Sequence, residues 1–403
     1  MKKTFLFLVL FISQWAFAQP QNANNFRSPE LLTDNQAVFK YLNPEAKSVT
    51  VVGNWHESVF PNKFPMSKDS AGLWTVKVGP IPAEMWVYHF VVDGNAITLD
   101  PRNAHVIRDG IRYRNYFISK GQESTNYEVQ NVPHGSLHVA WYNSPSLNLS
   151  RRVYVYTPAG YESSSEKYPV LYLLHGGGGD EDAWQTNGRA LHILDNLIAD
   201  KKCKPMIVVM ANGNARQSAS QDYVDGPAGL GPNGETASYP QSIVKDLIPY
   251  IDQTYRTKTD AVHRAIAGLS MGGAQTFYAA FNNIEKFSYV GSFSGGFTLL
   301  PGVATPIAAP ANAASLRGPD LTRSIDPDKF KVLLPKLNQD ANKRLKLLYL
   351  AIGTSDALIT THNRVKAILD EKNIKYTLVE TPNYAHEWSY WRVCLQDFLV
   401  RLF

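Results

Sequence analysis

The sequence predicts an α/β protein in which a largely parallel sheet wrapped by helices follows a small all-β sandwich. Three observations predict it. Short apolar strands such as Val170 to Leu174 and Met206 to Met210 alternate with helical stretches through the C-terminal part. Between Val38 and Ile118 there are only short strands and turns, with no helix of useful length. Finally, Arg264 to Phe281 reads as an apolar strand, a glycine-flanked serine and a proline-free helix.

Each element follows in order. Met1-Lys2-Lys3, the apolar run from Thr4 and the small-residue site Ala16-Phe17-Ala18 predict a signal peptide over residues 1–18. The run is short for a spanning helix and no cysteine follows the cleavage site, so the expectation is an exported protein, secreted or periplasmic, without a lipid anchor. Gln19 to Arg27 is a polar, asparagine-rich lead-in. Residues 28–118 form the predicted sandwich: Ser48 to Val52 is a strand ended by Gly53-Asn54, Leu73 to Val78 alternates at period two, and Trp86 to Val92 precedes the turn Asp93-Gly94-Asn95. The polar stretch 119–134 reads as a linker with few contacts across it. On that reading, a fragment starting near residue 130 keeps whatever chemistry the larger unit performs.

Residues 135–403 form the larger unit. Its expected strands are Leu137 to Tyr142, Arg151 to Tyr156, Val170 to Leu174, Met206 to Met210, Arg264 to Ala267, Phe287 to Phe293, Leu345 to Ile352 and Tyr376 to Val379. Helices are expected near Asp182 to Ala199, Gln241 to Thr254, Gly272 to Phe281, Asp326 to Leu337, Asn363 to Glu371 and Glu387 to Phe403. Two long segments, Asn212 to Tyr239 and Phe297 to Ile325, show no clear element; loops of that length usually border a functional cleft.

Composition narrows the function. The 403 residues are 44% hydrophobic and 19% charged, which describes a cored globular protein. The formal charge of +5 falls to +3 when Lys2 and Lys3 leave with the leader, too mild to argue for nucleic acid or an anionic membrane. Cys203 and Cys394 lack ligand spacing and read as buried thiols, with a single disulfide as the alternative. No His-x-x-x-His or Cys-x-x-Cys cluster suggests a metal, and no cofactor is expected.

The chemistry is carried by three motifs. Gly268-x-Ser270-x-Gly272 is a nucleophile elbow, in which a serine hydroxyl stands clear on a strained strand-to-helix turn and the Met271 N–H serves as an oxyanion donor. His175-Gly176-Gly177-Gly178-Gly179 follows an apolar strand, as a loop donating a second backbone N–H does; Gly177 is the expected donor, with Gly176 as the neighbouring alternative. No Gly-Lys-[Ser/Thr] follows, so it is not a phosphate-binding loop. Asp356, at the tip of the strand Leu345 to Ile352, is the expected acid, although an aspartate there could equally cap the next helix. His386, in the loop before the last helix, is the expected general base. His175 and His362 compete by type only: the oxyanion loop claims the first, and the second lies at a helix start. The chain order Ser270, Asp356, His386 is that of α/β-hydrolases.

Two resemblances add to this. Gly53-Asn54-Trp55, Gly72-Leu73-Trp74, Tyr88-x-Phe90-x-Val92-Asp93-Gly94 and Asp100-Pro101-Arg102-Asn103 resemble the immunoglobulin-like module, related to carbohydrate-binding module family 48, that precedes many glycan-active domains. Trp55, Trp74 and Trp86 are then core residues or sugar platforms, core being the commoner use on alternating strands. From about residue 136 onward, Tyr172-Leu173-Leu174-His175-Gly176, Trp184, Asn212-Gly213, Asp246 to Ile251, Ala267 to Gly273, Gly353-x-x-Asp356 and His386-Glu387-Trp388-x-x-Trp391-Arg392 resemble the esterase D-like group, carbohydrate esterase family 1. Tyr384-Ala385 departs from the glycines many members carry before the histidine. The resemblance implies removal of hydroxycinnamoyl (feruloyl) or acetyl groups from plant cell-wall polysaccharide esters without cofactor, with Trp184, Asn212 and Trp388 as substrate-binding residues. Siderophore (enterochelin-type) esterases and acyltransferases share the fold and stay as alternatives. A non-catalytic sugar-binding protein fits less well, since a binder has no use for a triad.

Overall fold

The computed structural model describes residues 26–55, 62–109, 112–215 and 238–403. The predicted signal peptide, most of the lead-in and residues 216–237 of the first long segment lie outside the described residues.

Among the described residues, ten strands build the N-terminal region: β1 (Glu30–Leu31), β2 (Ala37–Leu42), β3 (Val49–Gly53), β4 (Asn62–Pro65), β5 (Ser67–Lys68), β6 (Leu73–Val78), β7 (Met85–Val92), β8 (Ala96–Thr98), β9 (Val106–Asp109) and β10 (Arg112–Ile118). They pair antiparallel in two sheets, β1-β2-β6-β5 and β4-β3-β7-β10-β9, with β8 on β7. Alternation along β7 turns Tyr88, Phe90 and Val92 inward, where they meet Phe39, Trp55 and Phe117. Trp55 stacks on Phe39 at 5.4 Å, and Trp55 and Trp74 are 1% and 6% exposed. Both are core residues and present no face to a sugar ring.

The larger region centres on one eight-stranded sheet. Its strands are β11 (Ser136–Ser144), β12 (Leu149–Thr157), β13 (Val170–Leu174), β14 (Ile207–Ala211), β15 (Arg264–Leu269), β16 (Tyr289–Phe293), β19 (Leu347–Gly353) and β20 (Thr377–Thr381), in the order β11-β12-β14-β13-β15-β16-β19-β20. A separate hairpin-like pair, β17 (Ala304–Pro306) and β18 (Arg323–Ile325), lies within the second long segment that the sequence left without elements. From β14 onward in that order the remaining six strands run parallel, while β11 and β12 are antiparallel additions. Helices cover both faces of the parallel part, so its strands are buried throughout and read as unbroken apolar runs.

The helices are α1 (Gln122–Thr125), α2 (Ala183–Thr186), α3 (Ala190–Ala199), α4 (Ser238–Ser242), α5 (Ile248–Thr254), α6 (Met271–Asn282), α7 (Pro327–Leu333), α8 (Ala341–Arg344), α9 (Ile359–Glu371) and α10 (Trp388–Leu399). A π-turn over Ile243–Leu247 joins α4 to α5.

The stretch expected to be a loose linker is instead packed between the regions. It carries α1, and its Ser124 and Tyr127 are buried. Asn196 of α3 donates to the carbonyls of Asn126 and Glu128, both at 3.0 Å. Met85, Ile107 and Tyr127 join the apolar cluster of Leu171, Trp184 and Trp391. Ion pairs cross the seam from Glu84 to Arg392 at 2.7 Å and from Arg108 to Asp180 at 2.5 Å. Most polar side chains of 119–134 are exposed, but Ser119, Ser124 and Tyr127 are buried and the backbone carbonyls of Asn126 and Glu128 are bonded across the seam, which corrects the expectation of few contacts across the boundary.

Candidate active site

Ser270 sits between β15 and α6 with φ 49° and ψ −116°, a backbone conformation costly for a residue with a Cβ. The flanking glycines make the turn possible. A Cβ on Gly268 would lie 2.5 Å from the Gly272 carbonyl carbon, and one on Gly272 would lie 2.5 Å from the His175 oxygen. The turn is held from β16: Ser270 N–H donates to the Phe293 carbonyl at 2.9 Å, and the Ser270 carbonyl accepts from Gly296 N–H at 2.7 Å. The hydroxyl is thereby set at the C-terminal end of the central strand.

Three residues predicted to act together lie in hydrogen-bond contact. Ser270 Oγ is 2.9 Å from His386 Nε2, and His386 Nδ1 is 3.2 and 3.0 Å from the two oxygens of Asp356. Asp356 is fully buried, and His386 lies in the loop between β20 and α10. Asp356 does not cap α9, whose N-cap Leu358 has no side-chain bond; its Oδ1 instead accepts from Leu358 N–H at 2.8 Å and holds the turn ahead of the helix. The second long segment braces this pair. Arg317 N–H donates to Ser355 O at 2.9 Å and its carbonyl accepts from Ala357 N–H at 3.1 Å, gripping the chain on either side of the acid. Gly318, at φ +138°, passes so near that a Cβ there would lie 2.7 Å from His386 Cβ. Trp391 sets its ring edge-on to the imidazole at 5.0 Å.

The glycine loop after β13 runs beside the nucleophile: a Cβ on Gly176 would come within 3.3 Å of Ser270 Cβ, whereas one on Gly177 would meet nothing within 4 Å. A side chain at Gly177 would therefore meet open space. Met271 opens α6 directly after the serine. His175 fastens the loop. Its Nε2 accepts from Gly213 N–H at 2.7 Å, so its proton is on Nδ1, which donates to Gly176 O at 2.7 Å. Complete burial pushes its pKa down and keeps the ring neutral. Gly213 is held in turn by Gln275, whose Nε2 donates to its carbonyl at 2.9 Å. Buried Arg151 donates to the carbonyls of Asn212 and Asn214 at 2.6 and 3.0 Å. Sequence reasoning missed Arg151 and Gln275, which belong to no motif.

The three residues expected to bind substrate are placed differently. Trp184 is 1% exposed; α2 turns its indole inward, where the N–H donates to Leu174 O at 2.8 Å. Asn212 is also buried and donates to Glu181 at 2.9 Å, and Glu181 is paired with Arg152 at 2.6 Å. Both are support, which corrects their assignment. Trp388 is half-buried and packs edge-on against Trp184 and Trp391 at 5.3 and 5.2 Å, behind His386. The two cysteines are free and buried, and burial pushes the Cys203 thiol up to about 12. Among the described residues no cluster of three or more His, Cys, Asp or Glu could hold a metal ion, and no helix is long and apolar enough to cross a membrane.

Known proteins bear on this arrangement. Residues 144–402 match the family model "Esterase: Putative esterase". The chain is 30% identical over 393 residues to an endo-1,4-beta-xylanase/feruloyl esterase of Xylanibacter ruminicola, covering 95% of this chain and 47% of the relative. It is 28% identical over 162 residues to endo-1,4-beta-xylanase Y of Acetivibrio thermocellus, covering 38% of this chain and 14% of that one. The chain thus spans about half the length of the first relative and less of the second. Among solved structures, a ferulic acid esterase of Anaeromyces mucronatus in complex with ferulic acid matches 70% of this chain and 96% of its own, with TM-score 0.53 and 22% identity. The enterobactin esterase of Shigella flexneri matches 93% and 96%, with TM-score 0.62 and 18% identity. These likenesses show the α/β-hydrolase fold.

Proposed function

The chain belongs to the Esterase family, and from that premise we propose that it is an exported serine hydrolase removing feruloyl or acetyl groups from plant cell-wall xylan. The observation that carries the reading is the Ser270–His386–Asp356 relay, with an open-faced Gly177 beside it. The substrate class rests on the Xylanibacter relative, which aligns along nearly the whole chain.

In this mechanism His386 Nε2 takes the proton of Ser270 Oγ across 2.9 Å as the oxygen attacks the ester carbonyl. Backbone N–H groups of Gly177 and Met271 receive the oxyanion, where fixed dipoles lower the barrier most. The imidazolium, steadied by the buried Asp356 carboxylate, then gives its proton to the departing sugar alkoxide. Water, activated by the same nitrogen, frees the acid and restores the serine. The step uses no metal or organic cofactor.

We further read residues 1–18 as the leader that directs export. On the same reading, 28–118 is an immunoglobulin-like region related to carbohydrate-binding module family 48, and 135–403 is the catalytic domain. Residues 119–134 join the two as a packed bridge. A siderophore ester is the second reading, because the likeness to the enterobactin esterase fold extends over both regions. The test is turnover of methyl ferulate, acetylated xylan and a catecholate trilactone by the full chain. Ferulate or acetate release is the expected result. Hydrolysis of the trilactone alone moves the assignment to siderophores, and turnover of none of the three refutes it.

A further inference from the structure

We propose that Glu84, in the N-terminal β region, is a positioning residue for the imidazole of His386 and acts through Arg392 of α10. This rests on the reading of Ser270, His386 and Asp356 as the catalytic relay. Glu84 and Arg392 are 308 positions apart, yet their side chains are only 11% and 3% exposed, with Oε1 2.7 Å from Nη2. The same Oε1 accepts from the Tyr127 hydroxyl of the bridge segment and from Met85 N–H at 2.6 Å. The Arg392 guanidinium lies over the Tyr127 ring at 5.0 Å, and its Nη1 donates to the Asn187 carbonyl at 2.6 Å. A buried charge held at this many points has one geometry, because leaving any of them strands an ion in a dry interior.

That geometry is passed to the imidazole over one residue. Trp391, next to Arg392 in α10, meets His386 edge-to-face at 5.0 Å and 88°. Trp388, a turn earlier, backs Trp391 and leans on Trp184. Aromatic packing resists separation but allows sliding, so the indole wall alone does not fix the rotation of α10. The polar anchor at Arg392 is adjacent to the indole that touches the base. The other end of the histidine loop is tied to the same place. Tyr384 stacks on Tyr390 at 5.1 Å, and its carbonyl accepts from Ser355 N–H at 2.9 Å, one residue before the acid. Its phenol pKa is pushed up by burial first and then by the nearby Glu84 and Glu387 carboxylates. Tyr384 and Arg392 thus bound the segment that carries His386, and Glu84 anchors its Arg392 end. The N-terminal region is part of the machinery that aims the base.

The experiment compares the full-length wild type with Glu84→Gln, Arg392→Met and the double variant on a small aryl ester. Glu84→Gln keeps the shape and an acceptor but removes the charge. Misplacing a catalytic group by about 1 Å costs on the order of 10²-fold. We expect each single change to lower kcat by about tenfold or more, with KM within about twofold because neither residue touches substrate. The acid limb of kcat/KM should move to lower pH, since a loosened Asp356 contact stabilises the imidazolium less. The double variant should be no slower than the worse single one. A lowered Tm with unchanged kcat and pH profile shows mere scaffolding and overturns the inference. Multiplying effects overturn the route through Arg392. If Glu84→Gln does not fold, Glu84→Asp, which keeps the charge but shortens the reach, carries the test, and wild-type kcat in it overturns the proposal. Absence of turnover in the wild type refutes the hydrolase reading and this one with it, whereas wild-type turnover that Glu84→Gln leaves unmoved sinks only this inference.

Discussion

Asp356→Asn separates the two jobs that the acid does. Its Oδ1 accepts the Leu358 N–H at 2.8 Å, and Oδ2 stands 3.0 Å from His386 Nδ1. An asparagine that keeps the bond to Leu358 N–H turns its oxygen to Leu358 and its NH₂ to the imidazole. Nδ1 must then present a lone pair, the proton moves to Nε2, and that nitrogen can no longer accept from Ser270. Flipping the amide restores the useful tautomer but sets two donors against each other at Leu358, at about 1–3 kcal/mol for a buried unsatisfied group. Even then a neutral acceptor replaces a charged one, a further loss of about 1.5–3 kcal/mol. Together these centre near 4 kcal/mol, about 10³ in kcat at 1.36 kcal/mol per tenfold. Thermal stability should hardly change, because asparagine holds a turn of this kind as well as aspartate. The assay is kcat on an aryl ester beside Tm by calorimetry. If Asp356 only holds the turn before α9, kcat stays within fivefold of wild type, and the relay argument fails.

Other outcomes follow from the same geometry. Ser270→Ala should lower turnover by about 10⁴ to 10⁶ and abolish labelling by a serine-directed phosphonate, which should inactivate the wild type while a chelator leaves it untouched; a tenth of wild-type activity in the variant places the nucleophile elsewhere. Buried His362 has its pKa pushed down to about 4, by burial against the opposing pull of Asp356. Since the folded value lies below the unfolded one, near 6.5, the neutral ring contributes stability that is complete above about pH 6.5 and is lost as pH falls toward 4. Wild type should therefore lose about 2 kcal/mol more than His362→Leu between pH 7.5 and pH 5 in urea titrations, and parallel curves refute it. A fragment starting near residue 130 strands Arg392 and Asp180 without Glu84 and Arg108, at about 3–5 kcal/mol for each broken buried pair. It should be insoluble or unfolded at 25 °C, and a soluble fragment with wild-type kcat on an aryl ester refutes this.

Much of the larger region was legible in the sequence because its signals are local. Val170–Leu174 and Ile207–Ala211 are buried on both faces, so they appear as unbroken apolar runs. The serine turn announces itself because two backbones approach within the room of a Cβ, and only glycine satisfies that. Asp356 and His386 were found by their places after successive strands. The substrate assignments failed for a different reason. An aromatic or amide in a family pattern is equally well explained by a buried hydrogen bond, and Trp184 and Asn212 each make one. The segment 297–325 hid its strands because β17 and β18 are three residues each, too short to show a period.

The boundary between the regions was misread because composition reports polarity, not destination. Residues 119–134 look like a solvated linker, yet the carbonyls of Asn126 and Glu128 accept from Asn196, and the Tyr127 hydroxyl donates to Glu84. Such partners are invisible to any local window: Glu84 and Arg392 each read as an ordinary surface charge within their own element, and only the fold brings them together. A buried ion pair offers little net stability over a well-packed apolar pair but penalises every arrangement that separates its members. Placed between the β region and the helix behind His386, it therefore acts on orientation more than on affinity of one region for the other. On that argument the two regions form a single catalytic unit.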